Sequence, residues 1–233
     1  MPTPLSPIDA LYTQVQQLRD GFGDVRLWNC TARTPHVWPQ RGLYLFFEDG
    51  ELRRDGHTPR IVRVGTHGVA GGTSTSLWGR LRTHRGPRGG AGGSHRSSIF
   101  RHHVGTALLR AGRASPGLAD LWAASKLSRA DKERERPLEA AVSEHIGAMR
   151  VLWLDVNDEP GPSSERAYLE RNVIGILSSD GERRDPPSST WLGLDAAPDE
   201  IRSSGLWNID HVGARVDPDA LVRLTAAVRR TVR

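Results

Sequence analysis

The sequence predicts an α/β protein in which a small central antiparallel β-sheet of about three strands is flanked by helices, with helical extensions at both ends. Two apolar segments of strand length, residues 42–47 and 60–65, flank a polar stretch with Asp-Gly turn signals, which is typical of an antiparallel hairpin. A third segment of this kind spans residues 151–156. The surrounding segments repeat apolar residues every three or four positions, as amphipathic helices do.

The predicted helices are recognised by their first residues and their apolar spacing. Ser6 can cap an N-terminal helix that has Pro7 in its first position, and Asp217 followed by Pro218 begins the last helix. Between these two helices, the spacing and the prolines predict helices over residues 77–85, 97–109, 130–149 and 162–177 and a loop over 180–206.

The composition favours a packed chain over a disordered or membrane-spanning one. Of the 233 residues, 37% are hydrophobic and 25% are charged, and no apolar run approaches the roughly 20 residues that cross a bilayer. We expect residues 40–180 to form the functional core. Residues 1–39 are expected to form an N-terminal helix and lead-in, and residues 181–233 a C-terminal loop and helix packed on the core.

The cysteine content limits both the chemistry and the location. Cys30 is the only cysteine, which excludes an internal disulfide framework and a multi-cysteine zinc site. The first residues lack the charged-then-apolar order of a signal peptide. We therefore expect a cytoplasmic protein, because thiols stay reduced in the cytosol.

The positive charge is concentrated in one segment. The net charge is +5, and residues 78–113 contain eight arginines and four histidines but no acidic residue. Such a segment projects a positive field suited to a polyanion, most commonly nucleic acid, although an ordinary solvated surface is the alternative. The arginines that we expect to contact nucleic acid are Arg82, Arg85, Arg88, Arg96 and Arg101.

Five short segments match the motifs of one family. They follow the same order as in the family and lie on the same predicted helices and strands. They are Gly42-Leu43-Tyr44, Arg63-Val64-Gly65, Arg80 with His84, His95 before Ser97-Ser98-Ile99, and Leu169-Glu170 before Val173-Ile174. Together they resemble the GIY-YIG nuclease superfamily, and the resemblance covers about residues 40–180. It implies a compact nuclease core, and the sequence has no recognisable separate DNA-binding module.

The resemblance implies a role for each matched residue. Tyr44 would be the general base, and Arg80 would clamp phosphate oxygens with its planar guanidinium. His84 would hydrogen-bond Tyr44 or relay its proton. Glu170 would hold Mg²⁺ or Mn²⁺, because one carboxylate suffices when waters and substrate oxygens complete the coordination.

Two departures from the family pattern affect the supporting residues. Arg63 stands where the family has a second tyrosine, and Thr66 and His67, which follow immediately, are the nearest substitutes for it. The family asparagine falls at Glu182 here, so Asn208 is the candidate to replace it. His95 is expected to reach a phosphate or a water molecule.

The sequence therefore favours a metal-dependent DNA endonuclease, of the restriction or anti-phage defence kind. A non-catalytic nucleic-acid-binding protein on the same scaffold and a nuclease acting on RNA are the alternatives. Cutting both strands with one active site requires a homodimer or two successive nicks, and the sequence leaves both open. Each site residue also has a structural alternative: Tyr44 in the core, Arg80 with His84 bridging acidic residues, and Glu170 on a helix surface.

Overall fold

A four-stranded antiparallel β-sheet forms the centre of the described part of the chain. The structure is a computed structural model that describes residues 5–33, 38–69, 75–87, 93–161, 163–179 and 184–232. The strands are β1 (Val25–Arg26), β2 (Gly42–Leu52), β3 (Pro59–Gly65) and β4 (Arg150–Asp155), in the spatial order β1-β4-β2-β3. The predicted fold class is confirmed. The strand that the sequence did not predict is β1, whose two residues are too few to show an alternating pattern.

Eight α-helices surround the sheet within the described residues. They are α1 (Pro7–Phe22), α2 (Leu77–Arg85), α3 (Ile99–Arg110), α4 (Ala119–Ala123), α5 (Arg129–Ala148), α6 (Glu165–Ser178), α7 (Asp199–Ser204) and α8 (Ala220–Thr231). The prediction of loop throughout 180–206 was wrong, because α7 lies there and is too short to show helical periodicity. The last helix begins at Ala220, two residues later than the predicted Pro218, although the Asp217 carboxylate accepts from the Asp219 amide at 2.9 Å and so caps the turn that leads into the helix.

The sheet carries helices on both faces because its strands alternate their side chains between two cores. Tyr44 and Phe46 of β2 pack into one core together with apolar residues of α2, α3 and α5. Leu43, Leu45 and Phe47 pack into the other core, against α1, α6 and α8. Every second residue of a strand points to the same face, so β2 reads as a continuous apolar run.

The edge strand β3 is covered by a segment from the C-terminal part of the chain. The Trp207 amide donates to the Val62 carbonyl at 2.7 Å. The Asn208 side chain accepts from the Val64 amide at 3.0 Å and donates to the Val64 carbonyl at 2.8 Å, as a neighbouring strand would. Exposed edge strands invite pairing with other chains, so this cover protects the sheet.

The division of the chain into residues 1–39, 40–180 and 181–233 stays a prediction.

A one-residue shift in register between β2 and β3 lies beside this cover. Phe46 pairs with Arg63 and Phe47 pairs with Ile61, which leaves Val62 as the extra residue of β3. Bulges of this kind re-aim side chains and are common next to active sites. Arg63 lies directly opposite Phe46 in the regular register and therefore on the same face of the sheet as Tyr44 and Phe46. No helix in the described part of the chain is long and apolar enough to cross a membrane.

Candidate active site

The end of the hairpin brings the first two matched segments into direct contact. Tyr44 pairs with Gly65 across β2 and β3, and the tyrosine ring lies over the glycine. A Cβ atom on residue 65 would lie 2.2 Å from the Tyr44 hydroxyl oxygen. Only glycine permits so close an approach, which explains why this position has no side chain.

The Tyr44 hydroxyl is held by a buried chain of hydrogen bonds. It lies 2.8 Å from Nε2 of His84, whose Nδ1 lies 2.8 Å from the Ser98 hydroxyl. Burial, reinforced by the charges of three nearby arginines, holds the pKa of His84 well below its usual range. The neutral imidazole has one donor and one acceptor and can bond to both hydroxyls. A buried imidazolium is disfavoured, and the two hydrogen bonds hold the His84 ring in a position that orients the Tyr44 hydroxyl.

Arg80 is a half-buried cation that has no hydrogen-bonded counter-charge among the described residues. It lies one helical turn before His84 on α2, and it makes no hydrogen bond or ion pair with any residue that the structure describes. Its charge adds to the effect of burial in disfavouring protonation of His84 and His67. A partly desolvated guanidinium without a partner is suited to an anion that arrives from outside the protein.

Glu170 reaches the same end of β3 from the opposite layer of helices. Its Oε1 accepts a hydrogen bond from the Thr66 amide at 3.2 Å. Burial raises the pKa of Glu170 to about 7, and nearby Asp210 adds to this rise, while Arg63, the Thr66 amide and Arg80 oppose it. The ionised carboxylate is therefore only partly compensated by its surroundings. The structural alternative of an ordinary surface glutamate does not fit these surroundings.

The surroundings of Glu170 fit a divalent cation. A single carboxylate beside an open cavity leaves room for the water ligands that Mg²⁺ retains. A cation bound there would also compensate the charge that burial now disfavours. Glu170 is the residue that would hold it, and Asp210 is the second carboxylate nearby.

The loop after β3 is fixed to α6 by Arg166, one turn before Glu170. Arg166 is fully buried, donates to the main-chain carbonyls of His67 and Gly68, and pairs with Asp158. His67 is buried too, and Nε2 of its ring lies 3.3 Å from the Gln40 carbonyl. Burial lowers the pKa of His67 to about 4, so His67 is neutral at pH 7 and contributes to loop structure.

A cavity of about 290 Å³ adjoins Glu170. Its lining residues are Arg63, Ile99, His103, Glu170, Ile174, Trp207, Asn208, Ile209, Asp210 and His211. The structure thus brings together the predicted residues Arg63, Glu170 and Asn208. His211 has φ of 67°, a left-handed conformation rare outside glycine and often found at functional sites.

The sequence missed Asp210 and His103 as members of this site. Asp210 follows Glu170 by forty residues, and no local pattern connects the two. His103 had one signal, its position beside His102, which suggested that one of the two histidines is buried. Only the tertiary fold places either residue at the cavity.

His95 lies in a different cluster and does not line the cavity. Its Nδ1 lies 2.9 Å from a Glu139 oxygen, whose other oxygen pairs with Arg101 at 2.5 Å. Ligand atoms of His95, Glu135 and Glu139 lie within 4.8 Å of one another, as in a metal site. Glu135 is also paired, with Arg96, so both carboxylates already have an arginine counter-ion and a metal has little to compensate.

The predicted nucleic-acid contacts differ in how far each arginine is already bonded within the protein. Arg82 is exposed, whereas Arg101 is fully buried and cannot reach a bound polyanion, which corrects the expectation for Arg101. Arg96 is bonded to Glu135 and to main-chain carbonyls. Arg85 lies between Trp28 and Trp78 and donates to the carbonyls of Leu27 and Cys30. Arg88, like Glu182, lies outside the described residues.

The geometry agrees with what a comparison of the whole chain shows. A family model described as GIY-YIG domain matches residues 3–233. The chain therefore belongs to the GIY-YIG family, and the match extends beyond residues 40–180 to both ends. No curated protein and no solved structure matches the chain. The family indicates nuclease activity in general and a nucleic-acid substrate, and its members typically use divalent metals.

Proposed function

We propose that the protein is a metal-dependent DNA endonuclease that hydrolyses one phosphodiester bond at the end of β3. The observation that carries the proposal is that two incompletely satisfied charges of opposite sign lie at this end: the half-buried Glu170 carboxylate and the Arg80 guanidinium, which bonds to none of the described residues. Structural ion pairs neutralise each other, whereas these two charges are each available to an external group. In a phosphate held beside a cation, the phosphate would pair with Arg80 and the cation with Glu170.

Phosphodiester hydrolysis assigns a task to each residue. Arg80 binds and orients a phosphate oxygen and stabilises the charge that develops there. His84 orients the Tyr44 oxygen, which in its deprotonated phenolate form takes one proton from the attacking water and becomes the neutral hydroxyl. Glu170 holds the cation through its carboxylate. Mg²⁺ or Mn²⁺ held there would supply Lewis-acid stabilisation of the phosphate charge and would acidify water.

The substrate is proposed to be DNA, and the setting to be restriction or anti-phage defence. This rests on the match to the GIY-YIG domain, whose members act on nucleic acid, and on the arginine-rich segment of residues 78–113. The cytoplasmic location stays a prediction that such a role would require. Whether two chains act together as a homodimer is decided by the products: a dimer gives linear plasmid directly, whereas a monomer nicks first.

Cleavage of supercoiled plasmid with Mg²⁺ or with EDTA tests the proposal. We expect cutting by the wild type that EDTA abolishes, and a loss of about 1,000-fold in Glu170→Gln, since a catalytic cation is worth several kcal/mol. Tyr44→Phe should lose a general base, which contributes about 100-fold or more. Glu144→Gln, an exposed glutamate of α5, is the matched control and should cut like the wild type.

A non-catalytic binding protein is the second candidate, and one observation favours it. Arg63 replaces the second tyrosine of the family, and the remaining Tyr44 is almost fully buried. Binding of DNA without cutting, in both plasmid and genomic substrates with and without base modification, would establish this candidate. Cutting of RNA alone would replace DNA by RNA in the first proposal.

A further inference from the structure

The buried hydrogen bonds that join Tyr44, His84 and Ser98 can run in two directions. Burial and the charges of three nearby arginines hold the pKa of His84 well below its usual range, so its ring carries a single proton at pH 7. With this proton on Nδ1, His84 donates to Ser98 and accepts from Tyr44. With the proton on Nε2, His84 accepts from Ser98 and donates to Tyr44. The direction therefore decides whether the Tyr44 oxygen receives a hydrogen bond.

The Ser98 hydroxyl is already an acceptor for the main chain of α3. Ser98 is the N-cap residue of this helix, and its Oγ accepts from the Arg101 amide at 3.3 Å. Ser98 is 3% exposed, and His84 is the other described residue to which the hydroxyl bonds. If Oγ accepted from His84 as well, the hydroxyl proton would have no acceptor among the described residues. A buried donor without an acceptor is costly, which favours donation from Ser98 to Nδ1 of His84.

Donation from Ser98 leaves the proton of Tyr44 as the one without an acceptor in the described part of the chain. The proposed reaction requires this proton to be absent, because Tyr44 acts as a phenolate. A phenolate oxygen needs hydrogen-bond donors, and Nε2 of His84, at 2.8 Å, is the group that bonds to it among the described residues. A neutral His84 can donate there only when its Nδ1 carries no proton. All three groups are then satisfied in the ionised state of Tyr44.

The first turn of α3 also fixes the His84 ring in place. Nη1 of Arg101 donates to the His84 main-chain carbonyl at 3.0 Å. The ring of Phe100 meets the imidazole edge-on, with the ring centres 5.5 Å apart. His84 has no exposed surface, so its two nitrogens keep their two hydroxyl partners. The helix start that contains Ser98 thus holds both the main chain and the side chain of His84.

We propose that Ser98 is a positioning residue for the nuclease reaction, because it donates to Nδ1 of His84 and so keeps the ring proton on Nε2, from which it is donated to the Tyr44 oxygen. The inference rests on the proposed function, since it takes Tyr44 as the base. Tyr44 takes one proton from the attacking water, while His84 keeps its own proton throughout this step. Ser98 acts through His84 and does not touch the substrate.

The position of the His84 ring proton can be measured directly, in the protein without metal or DNA. Heteronuclear NMR of protein with isotope-labelled histidine distinguishes a protonated ring nitrogen from a bare one, and assignment of the main chain identifies the signals of His84. We expect the proton on Nε2 in the wild type at pH 7. This measurement needs no variant, so it tests the direction even if a substitution at Ser98 prevents folding.

Substitutions at Ser98 then test whether this residue sets the direction. Ser98→Ala should lower the ratio of the Nε2 form to the Nδ1 form, and kcat for plasmid cleavage, by about 10-fold each, the value of one hydrogen bond, with KM unchanged. Ser98→Thr should restore both, because threonine keeps the hydroxyl and suits the extended main chain of this residue, with φ −153° and ψ 103°.

Ser6→Ala is the matched control for the loss of a helix cap. Ser6 is the N-cap residue of α1, is 6% exposed, and accepts from the Asp9 amide at 3.3 Å, the same distance as at Ser98. It bonds to no histidine in the described part of the chain. We expect Ser6→Ala to cut at the wild-type rate and to leave the His84 proton on Nε2.

The results separate the inference from the function on which it rests. A proton on Nδ1 in the wild type, or slow cutting by Ser98→Ala with the proton still on Nε2, would overturn the role of Ser98 and leave the nuclease standing. Equal losses of kcat in Ser98→Ala and Ser6→Ala would do the same, because helix capping would then account for both. A protein that never cuts, but whose His84 proton leaves Nε2 in Ser98→Ala, would support the hydrogen-bond direction and overturn the nuclease.

Discussion

Two clusters built from the same three residue types, glutamate, arginine and histidine, differ in how completely their charges are matched. In the first, the Glu139 carboxylate accepts from the His95 amide at 2.7 Å and pairs with Arg101, and these partners lower its pKa although burial alone would raise it. In the second, Glu170 has one hydrogen bond at 3.2 Å, and burial raises its pKa to about 7. Burial is therefore not what distinguishes a structural carboxylate from a functional one. A structural carboxylate is distinguished from a functional one by the number and strength of its hydrogen bonds and ion pairs.

The largest expected effect on stability comes from breaking the matched cluster. Glu139→Gln leaves the fully buried Arg101 without a counter-charge, which should reduce the free energy of unfolding by about 3–5 kcal/mol. Glu170→Gln is the control, and its free energy of unfolding should not fall, because Glu170 has no ion pair to break. Urea denaturation at pH 8 measures both variants. Equal destabilisation by the two substitutions would refute the distinction between the clusters.

The two carboxylates should also respond oppositely to pH. Because the pKa of Glu170 in the folded state is raised from 4.5 to about 7, the folded state holds this proton more tightly, and stability is lost as pH rises through this interval. Glu170→Gln removes that loss, so above pH 7 its free energy of unfolding should exceed that of the wild type by at most about 3 kcal/mol. The stabilisation from Glu139 is instead present above its ordinary pKa and is lost as pH falls through the lowered value.

Comparing unfolding free energies at pH 5 and pH 8 tests the direction in which stability changes with pH. The advantage of Glu170→Gln over the wild type should be small at pH 5 and grow towards pH 8. A difference that is constant across this interval would show that Glu170 has an ordinary pKa. The affinity for Mn²⁺, measured by calorimetry, should rise over the same interval in the wild type, because the cation competes with the proton for Glu170.

The smallest effects distinguish Arg82, an exposed arginine, from Arg96, which is ion-paired with Glu135. Arg82→Ala should leave stability within about 0.5 kcal/mol and reduce the slope of log affinity for DNA against log salt by about one. Arg96→Ala should leave that slope unchanged and cost about 1–3 kcal/mol of stability, since it removes the partner of Glu135. Titrations of labelled duplex at several salt concentrations compare the two. A reduced slope in Arg96→Ala would place Arg96 on the nucleic-acid surface.

The sequence predicted the parts of the molecule that depend on local spacing. The β2–β3 hairpin follows from two apolar segments and a turn, and Arg80 and His84 share a helix face because they are four residues apart. The same spacing cannot distinguish Arg82 from Arg101, because the burial of Arg101 depends on Glu139, thirty-eight residues later in the chain. The convergence of Asp210, His103 and Glu170 on one cavity is likewise a property of tertiary packing.

The segment that covers β3 also gives the protein a built-in defence against self-assembly. Trp207 and Asn208 occupy the hydrogen-bonding groups that a fifth strand would use. A fragment ending before them would present a bare, largely apolar strand to every other copy, and ordered aggregates would grow from that side. A short synthetic peptide with the missing residues would bind the exposed edge of β3 and so end the growth of the aggregate.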